Sequence, residues 1–256
     1  MSARKAKTPV EEPAEALVVE ADITEASEPS VAQELEVVSG DTEITAPIQQ
    51  GASAEITKDD LVLPTLRIVQ RVGALAEQHE PGSIIVDGEE IISDGEQSVE
   101  VTVIEFQKCF TENVPWGAEK IPNVLFSEEA VHQLGLTTSW HEDEGERVAP
   151  DYWPTLHLRV LVKQPEGLED SLHFPFNYGD DNYAMLAWTL QRSAYHRAGR
   201  RILSAFKFKI FQTPAEGFFR LTTKLQSFGA NKAYVPDVTY GVKHPKDLTA
   251  WAESMK

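Results

Sequence analysis

The sequence predicts an α+β protein: a small antiparallel sheet or barrel with added helices, preceded by an acidic, disordered arm. Three observations predict it. Several segments alternate apolar and polar residues, as Val99, Val101 and Val103 do against Glu100 and Thr102, and a period of two marks half-buried strands. Tight connections such as Asp87-Gly88 punctuate them, the turn chemistry of hairpins. All 22 aromatic residues lie at or beyond Phe106, so the main core is expected in the C-terminal part of the chain.

The elements follow in order. Residues 1–57 carry 3 basic and 12 acidic residues, without aromatics or sustained periodicity. Such a segment buries too little apolar surface to offset its ordering entropy, so it is expected to be disordered. Residues 58–256 are then a single domain. The stretch from Leu66 to Val72 predicts a strand or one or two helical turns. Ser83–Val86 and Ile91-Ile92 flank Asp87-Gly88 as a hairpin, and a stronger strand runs from Val99 to Phe106. Ser127 is an N-cap for a short helix ending at Gly135. Leu156, Leu158, Val160 and Val162 form a strand face, and Pro165-Glu166-Gly167 turns the chain. Leu172, Phe174 and Phe176 make the returning strand, which Pro175 places at an edge or bulge.

Asp180-Asp181-Asn182 is expected to cap the longest helix, because Leu186, Leu190, Ala194, Ala198 and Ile202 repeat every four residues. A second hairpin pairs Phe206–Phe211 with Phe218–Phe228, and residues 247–254 form a final helix. An oligonucleotide-binding (OB-like) β-barrel with added helices is one architecture that fits this pattern.

Charge supplies the functional clue. The chain has a net charge of −18, yet residues 191–256 hold 12 basic against 4 acidic residues. Arg192, Arg197, Arg200 and Arg201 cluster on the expected long helix. Lys207, Lys209, Arg220, Lys224 and Lys232 extend the basic block. Cations interleaved with flat rings suit a charged backbone carrying stackable bases. Pairing of the same arginines with the acidic middle of the chain, and then plain solvation, are the less favoured readings. Tyr195, Phe219, Tyr234 and Tyr240 are the exposed-ring candidates. Phe206 and Phe208 alternate with lysines and are expected to face the core.

Other chemistries have less support. The single Cys109 excludes an internal disulfide and fits a reducing cytosol. The N-terminus lacks the apolar region of a secretory signal. His141-Glu142-Asp143-Glu144 has no spaced second cluster for a metal. No phosphate-binding loop or nucleophile elbow is present, so no cofactor, metal or catalytic residue is expected.

The order of segments also resembles a family. Asp60-Leu61-Val62-Leu63-Pro64-Thr65-Leu66-Arg67-Ile68-Val69-Gln70, then Pro81-Gly82, then a strand ending before Trp116, is similar to the front of tailed-phage single-stranded DNA-binding-like proteins. So is the back: a helix with Ser193, Arg197 and Arg201, a Phe/Lys segment, and Glu216-Gly217-Phe218-Phe219 leading to Gly229. The resemblance spans about residues 58–252. It implies a non-enzymatic, OB-like, single-stranded DNA-binding protein of a phage or phage-derived replication or recombination module, in the cytoplasm of a bacterium or infected host. Many such proteins carry an acidic tail at the C-terminus, whereas here the acidic segment is N-terminal. That arm is expected either to compete with nucleic acid for the basic face or to recruit a replication or recombination protein. The alternative reading is a phage structural or assembly protein whose basic face docks an acidic partner.

Overall fold

The structure, a computed structural model, describes residues 62–115, 117–229 and 231–256. The expected arm over 1–57 and Trp116 lie outside the described residues. Three short strands come first: β1 (Leu66–Ile68), β2 (Ile84–Val86) and β3 (Glu90–Ser93), with helix α1 (Ala74–Gln78) between the first two. Asp87 and Gly88 both take positive φ, at 52° and 82°, as the expected tight hairpin turn requires. β1 adds to β2 antiparallel.

The main sheet is built from β4 (Val99–Glu112), β5 (Val124–Leu125), β8 (Tyr152–Lys163), β9 (Phe176–Tyr178), β10 (Asp181–Gln191), β11 (Gly217–Phe228) and β12 (Asn231–Lys243). Its order is β12-β11-β4-β8-β10-β9, with β5 on the end of β4. All its pairings are antiparallel. Helix α2 (Glu128–Gln133) and the hairpin of β6 (His141–Asp143) and β7 (Glu146–Val148) lie between β4 and β8. A π-helical turn, Tyr195–Gly199, runs into α3 (Arg200–Lys207), and α4 (Lys246–Ser254) closes the chain.

Both faces of the sheet are covered. On the inner face Val101, Leu158, Leu186 and Leu221 pack with Leu66 and Ile84 of the small sheet and with Ala198, Ile202 and Ala205 of the helix. On the outer face Ile104, Leu161 and Tyr183 pack against Trp251 and Ala252 of α4. A bulge between Val103 and Glu105 lets β4 keep Val103 and then Phe106 on the inner side despite their odd spacing.

The result is α+β, but among the described residues the strands do not close into a barrel. β1 meets β10 through a single parallel bridge, Thr65–Ala187. The chain after β3 meets β11 through the Thr223 N–H, which donates to the Gly95 carbonyl at 2.8 Å. Isolated bonds at both seams replace the ladders a closed barrel needs. The long outer edge at β12 is partly satisfied by Gln70. Its amide donates to the Tyr234 carbonyl at 2.9 Å and accepts from the Tyr234 N–H at 3.1 Å, blunting an edge open to further pairing.

Four expectations are corrected. Asp181–Gln191 is strand β10, not helix. Leu186 and Leu190 recur every four residues, a spacing that satisfies a period of two as well as a helical stripe. The alternation of buried Ala184, Leu186, Trp188 and Leu190 shows that pairing with β8 prevails. Asp180 accordingly lies in the β9–β10 turn and Asp181 opens β10, so neither caps a helix. Phe206–Phe211 is not a strand, since α3 runs to Lys207 and turns follow. The partner of β11 is therefore β12, which carries Tyr234 and Tyr240. The segment Leu172–Phe176 forms strand only from Phe176, with Leu172 fully outside the core; β9 does lie at the sheet edge.

No helix among the described residues is long and apolar enough to cross a membrane. Three imidazoles give the fold a pH dependence. Burial holds His244, His157 and His196 below the usual 6.5, with Arg200 adding to the effect at His196. The Nε2 of His244 lies 2.8 Å from the Thr102 hydroxyl, where α4 follows β12. The unfolded chain takes up these protons first, so stability should fall as pH drops through about 6.5 and go on falling to the lowered folded values. Thermal midpoints at pH 7.5 and 5.0 check this. The wild type should lose more on acidification than a His244→Gln variant; equal losses would mean that His244 does not contribute.

Candidate nucleic-acid interface

The helical segment after β10 has two chemically distinct flanks. Tyr195, Ala198, Ile202 and Ala205 point into the core. With that stripe buried, Arg197 and Arg201 fall on the flank beside the β11–β12 hairpin, and Arg200 and Lys207 on the flank beside β4. The π-helical turn sets this phase, and such turns are frequent at functional sites.

On the β4 side lies a groove of about 520 Å³, lined by Phe106, Tyr195, Arg200, Leu203, Phe206 and Phe208 among others, with Lys207 beside them. The rings of Phe106 and Phe206 stack, with centroids 5.2 Å apart and an interplanar angle of 13°. Phe208 is 75% exposed. It is thrown outward because α3 ends in a Schellman turn: the Ile210 N–H donates to the Ala205 carbonyl at 2.8 Å, and the Lys209 N–H to the Phe206 carbonyl at 3.2 Å. Lys209 takes the left-handed position of that turn, at φ 57°, where glycine is usual. Lys108, two residues beyond Phe106 on the same strand face, holds its ammonium 4.9 Å from the Phe110 ring centroid.

Behind the groove the rings continue inward. Phe206 meets Phe219 edge-on at 6.3 Å, and Phe219 meets Tyr240 at 6.2 Å. On the hairpin flank the Arg201 guanidinium lies 5.6 Å from the Tyr240 ring, and Arg197 donates to the Gln226 side chain at 2.8 Å. One aromatic series thus connects the two basic flanks through the core.

The sequence-derived candidates divide accordingly. Arg200 and Lys207 line the groove; Arg197, Arg201 and Tyr240 lie on the other flank. Lys209 is exposed at the helix end, and Tyr234 and Lys232 belong to the distal hairpin. Arg220 holds its guanidinium 5.6 Å from the Phe218 ring. Among the described residues none of these cations has a carboxylate within 4 Å, so pairing with the acidic middle of the chain does not occur there. Lys224 is the exception, bound to Asp237 at 2.5 Å.

Three assignments are corrected. Arg192 is not on the helix stripe: it sits in a left-handed turn at φ 54°, donates to Asn113 at 3.2 Å and lies over Trp153. Tyr195 and Phe219 are not exposed rings but core residues, at 7% and 1% exposure. Burial accordingly pushes the Tyr195 phenol up. Phe106 was missed, and Phe208, expected to face the core, is exposed instead. The available signal was the continuation of the helical stripe from Ala198 through Ile202 to Ala205, which places Phe208 beyond the helix end rather than in a strand.

No protein-family model matches the chain, and neither a curated protein nor a solved structure is detectably similar to it.

Proposed function

We propose that the protein binds single-stranded nucleic acid, DNA in the reading its sequence resemblance favours, through the groove beside α3 and without catalysis. One observation carries the reading: an exposed and a stacked phenylalanine share a groove with Arg200 and Lys207, whose charges no described carboxylate neutralises. A base offers a flat face to such rings whatever its identity, and a phosphate chain offers charge to the unpaired cations. The near-meeting of the small sheet with β10 and β11 supports the finer description of the fold as OB-like. A role in a phage replication or recombination module rests on the resemblance.

The test is a fluorescence-anisotropy titration of the full chain with labelled oligo(dT) at two salt concentrations, with poly-glutamate as competitor. Binding that weakens steeply with salt, and that poly-glutamate of equal charge displaces poorly, is the expected result. No binding at low salt would refute the reading. Equally effective displacement by poly-glutamate would favour instead a basic face that docks an acidic protein.

A further inference from the structure

A second concavity, of about 300 Å³, lies where β1, the end of β10, the start of the helix and β12 meet. That volume is at the lower end of small-molecule sites, roughly 300–1,000 Å³. Its walls include Ile68, Trp188, Ala194 and Tyr234, and Arg67 and Ser193 supply polar groups. Trp188, a core residue at 4% exposure, closes the inner end of the cleft, and Tyr234 is fixed by the two hydrogen bonds of its backbone to Gln70. Among the described residues Arg67 has no carboxylate within 4 Å. The partly exposed ring of Tyr234, a hydroxyl and an unpaired guanidinium suit a planar heteroaromatic ring attached to an anion.

We propose that this cleft receives one unstacked nucleobase of the strand whose other bases stack in the groove beside α3. The proposal rests on the single-strand reading and extends it to a second, base-occupied subsite. Ala194 lines the cleft and the adjacent Tyr195 lines the groove, so both places meet the same turn of the helical segment. Single OB-like modules bind about 4–16 nucleotides, so one strand can occupy both places.

Filling the cleft tests the idea. Ala194→Leu adds bulk to its wall while leaving Phe106, Phe206, Phe208, Arg200 and Lys207 unchanged. Affinity of the full-length variant and of the wild type is measured for an oligo(dT) of about twelve nucleotides, within the range bound by single OB-like modules, and for the same backbone made abasic. Occupation by a base predicts a loss of about tenfold for oligo(dT) and none for the abasic strand. Equal affinities of variant and wild type for oligo(dT) overturn the subsite yet leave the groove reading intact. An equal loss on both strands also counts against it, since a base-specific site cannot act on a strand without bases. Should the variant fail to fold, Arg67→Gln serves: it should lower the salt slope by about 0.7, and an unchanged slope overturns the proposal. Absence of any oligo(dT) binding by the wild type instead removes the single-strand reading itself.

Discussion

Replacing Arg197, Arg200, Arg201 and Lys207 together by glutamine should lower the slope of log K against log salt by about 3, at ~0.7 per phosphate on a single strand. The four side chains lie on the two solvent flanks of one helical segment, and none has a carboxylate within 4 Å among the described residues. Their charge is therefore available to displace counterions rather than already neutralised. All four are exposed, so the variant should unfold at nearly the wild-type temperature; exposed substitutions of this kind usually stay within about 0.5 kcal/mol each. Arg192→Gln is the matched control. Its guanidinium is engaged by Asn113 and Trp153, off the helical flanks, and its loss should leave the slope nearly unchanged. A folded quadruple variant that retains the wild-type slope would refute the phosphate path.

Phe219→Ala and Phe208→Ala should show opposite signatures, although both residues are phenylalanines of the basic C-terminal region. Phe219 is 1% exposed and touches the rings of Phe206, Phe211 and Tyr240. Its truncation leaves a cavity at the centre of that series and should cost about 3–5 kcal/mol. For a domain of this size that lowers the midpoint by roughly 6–20 °C. Phe208 is 75% exposed, so its removal should leave the midpoint nearly unchanged. It should instead weaken oligo(dT) binding by about 1–3 kcal/mol, and do so at every salt concentration because stacking releases no counterions. Thermal unfolding and a salt series of anisotropy titrations read both effects. Wild-type affinity in Phe208→Ala would remove that ring from the interface, and an unshifted midpoint in Phe219→Ala would contradict its place in the core.

Local chemistry alone determined a good part of this protein. The Asp87-Gly88 turn, the alternating faces of β4 and β8, the Ser127 cap of α2 and the final helix all follow from rules acting within a few residues. The Ser127 hydroxyl does accept from the Ala130 N–H, at 3.1 Å. The opposite charge of the C-terminal block was equally plain, and it led to Arg197, Arg200, Arg201 and Lys207. Tertiary structure alone decided the rest. Leu186 and Leu190 fit a helix and a strand alike, and only the unpaired edge of β8 made the strand the lower-energy choice. Phe206, Phe208 and Phe219 are chemically identical. Which of them is core, which stacks half-buried on Phe106 and which stands in solvent depends on where α3 ends and on which strand pairs with β11. Those outcomes come from contacts between residues far apart in the chain, which no local pattern encodes.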